Sequence, residues 1–207
     1  LIADPFPTPS PTPTPSTLAR PKFWNVPNTL TIARLGLAVV VFGLIAFAQY
    51  FMALAVFGVA ALTDALDGYL ARKLNQATPI GRQLDPLVDK VIVSGAYIYL
   101  LTIEGTGVFP WMVTTIVIRE LLIQGLRSHL EGQGQAFGAK TAGKIKTTLQ
   151  CLSISAILLA LSVRPTAGWL LARDALTWSA VALTLYSGLG YILAAIPSLR
   201  ERKAGAP

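Results

Sequence analysis

The chain has 207 residues, 53% of them hydrophobic and 13% charged, with a mean hydropathy of +0.58 and a formal charge of +7. Soluble domains carry about 25% charged residues, so this composition excludes an ordinary soluble fold and fits one bilayer-embedded domain. The basic residues cluster at the ends of hydrophobic segments, where they set topology and meet anionic headgroups, and no nucleic-acid motif accompanies them, so nucleic acid is not expected as a partner.

Residues 1–22 hold the tract PFPTPSPTPTPST, which reads as an extended, disordered tail that cannot build a core, and neither as a signal peptide nor as a span. A membrane domain over 23–199 and a basic tail over 200–207 complete the expected organisation. Lys22, Phe23 and Trp24 suit the membrane interface. The first helix is predicted from Asn28 to about Gln49, with Arg34 about one turn inside. That arginine either snorkels to the headgroups or turns inward. The second helix starts near Phe51 and runs through FMALAVFGVAAL into the polar stretch DALDGYLARKL. A break at Asn75–Pro79 reverses the chain, and Gly81 opens a third helix that carries Asp85 and Asp89 and continues through VIVSGAYIYLLTI.

After a turn at Glu104–Gly107, the fourth helix is expected over Val108–Leu130 and the fifth over Ala142–Val163. A turn at Arg164–Gly168 leads to a sixth over Ala175–Ile196, closed by Pro197. The expected fold is thus an all-α integral membrane protein with six transmembrane helices of about 20 residues each. Nearly all Lys and Arg fall in the termini, the second-to-third turn and the fourth-to-fifth region, leaving only Arg164 and Arg173 opposite. Both termini and the polar active site are therefore expected on the cytoplasmic side. Cys151 has no intrachain partner for a disulfide.

The stretch from Asp64 to Asp89 stands out because apolar runs flank it on both sides. A carboxylate at membrane depth costs roughly 2.5 to 3.5 kcal/mol, so four of them point to function. Asp64 and Asp67 are three apart, and Gly81, Asp85 and Asp89 are four apart, so each set projects from a single helical face. Two opposed faces would gather four carboxylates, whose charge matches two divalent cations. An all-oxygen donor set favours Mg²⁺ or Mn²⁺ over Zn²⁺, and two such ions are a recurring device of phosphoryl chemistry.

The order Asp64, Asp67-Gly68, Ala71-Arg72, Gly81, Asp85, Asp89, with its spacing, resembles the complete signature of the CDP-alcohol phosphotransferases at all eight fixed positions. The resemblance implies transfer of a phosphatidyl group from a CDP-linked lipid to a small alcohol, with release of CMP. It also implies that Asp64, Asp67, Asp85 and Asp89 ligate two metal ions and that Asp89 takes the proton of the attacking hydroxyl. Gly68 and Ala71 lack bulk and would let the nucleotide approach closely, Arg72 offers a fork to phosphate, and Thr78 a hydroxyl. Gly81 completes the CDP-lipid set.

A second polar group interrupts the apolar helices: Arg119, Glu120, Arg127, His129, Lys140, Lys144 and Lys146. Taken singly, Lys140 and His129 read as topology anchors. Together, Arg119, Arg127, Lys140, Lys144 and Lys146 suit an acceptor that is itself a phosphate dianion, whereas a neutral polyol would not need them. Glu120 is placed to hold one of the arginines.

The segments NVPNTLTIAR, IRELLIQGLR and GKIKTTLQ resemble those of bacterial phosphatidylglycerophosphate synthases, over about Trp24 to Ile196. This implies CDP-diacylglycerol and sn-glycerol 3-phosphate as substrates and a bacterial inner membrane setting. It also implies a homodimer, for which Ser94, Gly95 and Ala96 would allow close helix contact. A cardiolipin, phosphatidylinositol-phosphate or phosphatidylserine synthase would share the aspartates and differ at the acceptor. A metal-ion transporter should show polar residues on both sides of the midplane, and a non-catalytic scaffold would not keep the signature intact.

Overall fold

The computed structural model describes residues 26–74, 79–131 and 141–204, with side chains for 29, 31–63, 87–128 and 143–193. The N-terminal tract, Lys22, Phe23, Trp24, Thr78 and Lys140 lie outside the described residues. So do the side chains of Asp64, Asp67, Gly68, Ala71, Arg72, Gly81, Asp85 and His129.

Six helices and no strand occur among the described residues: α1 (Val26–Ala46), α2 (Tyr50–Leu74), α3 (Pro79–Leu101), α4 (Pro110–Glu131), α5 (Thr141–Ser162) and α6 (Ala167–Ala204). Local chemistry sets their starts. Pro79 and Pro110 each take the first helical position, where a missing N–H costs nothing and φ is already set. The third helix therefore begins two residues before Gly81, its expected opening. Thr166 caps α6, its Oγ1 accepting from the Trp169 amide at 3.4 Å. The α3–α4 turn passes through Gly105 and Gly107 with φ of 77° and 73°, a region favourable to glycine.

Two expectations fail at α6. It starts at Ala167 rather than Ala175, and Pro197 does not close it, since the helix runs on to Ala204. Proline removes one hydrogen bond of the ladder, yet the helix continues through it for seven residues. Arg173, expected in a connection, is consequently a buried residue of α6 whose Nη1 donates to the Gly105 carbonyl at 2.6 Å. It ties α6 to the α3–α4 turn.

Apolar side chains at helical spacing form the core. Ala38, Val41 and Ile45 of α1 meet Ala53, Phe57 and Ala60 of α2, Ala96, Tyr97 and Leu100 of α3, and Ile154, Ile157 and Leu158 of α5. The Phe42 ring lies so close to Gly95 that an added Cβ would collide with it. The close contact allowed by this glycine is thus made between α1 and α3 within the chain. Polar bonds add to the packing of α3, α5 and α6: Tyr97 donates to the Gln150 carbonyl, the Gln150 amide donates to Thr184, and Ser153 pairs with Thr177 at 2.8 Å.

The outer surface is apolar as well, with Val39, Phe51, Leu62, Leu121, Leu171 and Leu193 all exposed. Helices apolar on both faces suit a lipid environment. Among the described residues, Gly143–Ser162 and Ala167–Leu193 are long and apolar enough to cross a membrane, and Thr31–Ala46 and Tyr50–Thr63 are shorter apolar stretches. The fold is consistent with a membrane protein.

Candidate active site

α1 packs against both α2 and α3, and α5 packs against α2, α3 and α6. The aspartate-bearing ends of α2 and α3 therefore share one end of the bundle with the start of α1, the end of α4 and the start of α5. The connection residues 102–109 and 163–166 lie at the other end.

Asp89 is the signature carboxylate whose surroundings are described. It is 35% exposed, and its Oδ1 accepts from Arg34 Nη1 at 2.6 Å, the arginine being only 3% exposed. Of the two readings of Arg34, the inward one is correct. A charge this deeply buried needs a partner, and α1 supplies it directly to the motif.

Two cavities border Asp89. One, of about 260 Å³, is walled by Phe57, Ala60, Ile92 and Cys151 and opens onto Arg34 and Asp89. The other, of about 150 Å³, lies between Asp89, Lys90, Glu120, Arg127, Thr147 and Gln150. Lys90, Glu120, Arg127 and Thr147 also line a third cavity of about 370 Å³, together with Arg119, Gln124, Lys144, Lys146 and Tyr191. Asp89 and the cationic cavity are therefore neighbours with a shared wall.

Within the cationic cavity, Glu120 is the organising carboxylate. Its Oε1 accepts from Lys146 and, at 3.4 Å, from Arg119 Nη1, and both Glu120 and Lys146 are buried. Arg119 Nη2 donates to Ser187 Oγ at 2.9 Å, and its guanidinium lies 5.7 Å from the centroid of the Tyr191 ring. Gly188 leaves room for the arginine stem, since a Cβ there would meet Arg119 Cγ at 3.0 Å. Lys144 is exposed at the rim, and Arg127 is half-buried in the wall between the two polar cavities.

Four of the five cations expected at the acceptor, Arg119, Arg127, Lys144 and Lys146, thus come together, and the fifth, Lys140, lies outside the described residues. Glu120 holds a lysine as well as the arginine. Lys90, Gln124, Thr147 and Tyr191 were not singled out by sequence. Only Lys90 carried a signal, being a charge next to Asp89 in an apolar helix. No group of three or more metal-ligating side chains occurs among the described residues, which exclude the other three aspartate side chains.

An all-helical, largely apolar bundle with a carboxylate beside a multiply cationic cavity is consistent with a membrane enzyme that handles phosphorylated substrates. A family model for CDP-alcohol phosphatidyltransferase matches residues 24–186, and the chain belongs to that family. It is similar to the CDP-diacylglycerol--glycerol-3-phosphate 3-phosphatidyltransferase of Bacillus subtilis (strain 168), with 37% identity covering 81% of this chain and 93% of the relative. The like-named protein of Escherichia coli (strain K12) is 37% identical over 86% of this chain and 99% of its own length. That of Cereibacter sphaeroides is 36% identical, over 80% and 76% respectively.

Proposed function

We propose that the chain transfers the phosphatidyl group of CDP-diacylglycerol to sn-glycerol 3-phosphate, giving phosphatidylglycerophosphate and CMP. The observation that carries this reading is the 370 Å³ cavity lined by Arg119, Arg127, Lys144 and Lys146 and sharing a wall with the Asp89 centre. A neutral alcohol gives no return for gathering four cations around one cavity with a single carboxylate among its described lining residues, whereas a phosphate dianion accepts from several such donors at once.

Asp89 takes the proton of the acceptor hydroxyl as its oxygen attacks the phosphatidyl phosphorus and the bond to CMP breaks. Asp64, Asp67 and Asp85 complete the donor set with Asp89. Its oxygen chemistry, and the demand of Asp89 for a cationic partner, met here by Arg34, fit two hard divalent ions, Mg²⁺ or Mn²⁺. When bound, such ions neutralise the pyrophosphate and stabilise the departing oxygen. Gly68, Ala71, Arg72, Thr78 and Gly81 receive the CDP-lipid, with its acyl chains left in the bilayer. Arg119, Arg127, Lys140, Lys144 and Lys146 hold the acceptor phosphate and so orient its hydroxyl towards Asp89.

The same reading places six spans in a bacterial inner membrane, with site and termini cytoplasmic, in a membrane domain over 23–199 between a tail over 1–22 and a basic segment over 200–207. A homodimer completes the proposal. The test is product analysis: purified protein with Mg²⁺, CDP-diacylglycerol and glycerol 3-phosphate should yield phosphatidylglycerophosphate and CMP in equal amounts, and none in EDTA. Full turnover in the chelator would remove the metal, and a different lipid product would remove the acceptor.

A further inference from the structure

We propose that Lys90 is an additional acceptor-binding residue and that Gln124 is its positioning partner, keeping the lysine in place without neutralising it. The inference rests on the acceptor reading above and extends it to a residue of the helix that carries the aspartates.

Lys90 directly follows Asp89 on α3, and the two side chains diverge. Asp89 turns to Arg34 on α1, while Lys90 Nζ donates to the Gln124 Oε1 on α4. Lys90 nevertheless lines both the large cationic cavity and the small one that Asp89 borders. It is the cation that α3 itself contributes to the cavity, so a phosphate held by it is registered against Asp89 by a single residue of rigid helix.

The charges in the cavity are not equivalent. Among the described residues of its lining Glu120 is the only carboxylate, and it is committed to Lys146 and Arg119. Those two cations are therefore partly offset before any ligand arrives. Gln124 instead offers an amide oxygen with no net charge, so Lys90 is oriented without a carboxylate at hydrogen-bond distance. A tie between α3 and α4 that served packing alone would be stronger with a glutamate at 124.

The test uses the full chain, purified in detergent, with CDP-diacylglycerol and glycerol 3-phosphate. Apparent KM for each substrate, kcat and thermal unfolding are measured for wild type, Lys90→Gln, Lys90→Arg and Gln124→Glu. Lys90→Gln should raise the acceptor KM about tenfold or more with the donor KM unchanged, and Lys90→Arg should recover part of the loss. Gln124→Glu should unfold no earlier than wild type and still raise the acceptor KM, because a carboxylate now consumes the charge. Unchanged acceptor KM in Gln124→Glu, or in a folded Lys90→Gln, would reduce the pair to a structural tie and overturn the proposal. A wild type that does not use glycerol 3-phosphate at all would instead overturn the acceptor reading and this extension together.

Discussion

Arg34 of α1 places its Nη1 2.6 Å from Oδ1 of Asp89 on α3, joining the opening of the bundle to the last aspartate of the signature. The arginine is almost fully buried and the aspartate about one-third exposed. Removing Arg34 leaves Asp89 without this partner and opens a gap beside Phe57 and Ile92, which line the same cavity. Loss of one member of a buried pair costs about 3 to 5 kcal/mol, and the exposure of Asp89 puts this case below that range. Arg34→Ala should therefore unfold several degrees earlier in detergent and lose most of its turnover, with Arg34→Lys intermediate. A melting curve together with CMP release checks both, and wild-type behaviour in Arg34→Ala would make the pair incidental.

Glu120 governs the cationic cavity in the same way. Glu120→Gln strands the buried Lys146 and weakens the hold on Arg119, leaving two like charges near one another. The expected outcome is a destabilisation of about 2 to 4 kcal/mol and a higher KM for glycerol 3-phosphate, with the KM for CDP-diacylglycerol little changed. Denaturation and steady-state kinetics on the same preparation measure the two effects. Intact stability would mean that Lys146 finds another partner.

Much of this arrangement was legible in the sequence, and the failures have physical causes. Asp89, a carboxylate in an apolar helix, declares itself because its placement is costly, whereas the side chains of Asp64, Asp67 and Asp85 lie outside the described residues. The cations at Arg119, Arg127, Lys144 and Lys146 declare themselves for the same reason as Asp89. The direction of Arg34 was not legible, since snorkelling and inward pairing differ only by the rotation and tilt of α1, which packing sets. Lys90 was obscured by its neighbour Asp89, and Gln124 and Tyr191 are ordinary residues until tertiary contacts give them partners. Pro197 misled because a proline ends an isolated helix, whereas α6 continues through it to Ala204.

The proposed orientation rests on the charge asymmetry of the connections. In intact cells, a single cysteine at Gln76 in a Cys151→Ser background should resist an impermeant thiol reagent, while one at Thr166 should be labelled. The opposite pattern would place the aspartates on the outer face, away from cytoplasmic CDP-lipid.

We propose selection of the acceptor by its phosphate in the cavity beside Asp89. It is tested most directly by comparing glycerol 3-phosphate with glycerol, which offers the same hydroxyl chemistry without the dianion, in CMP release from CDP-diacylglycerol by the purified protein. Several charge-assisted contacts at about 1.5 to 3 kcal/mol each predict that glycerol 3-phosphate is favoured in kcat/KM by at least about a hundredfold. Comparable rates with glycerol, or CMP release with serine or phosphatidylglycerol but none with glycerol 3-phosphate, would contradict it.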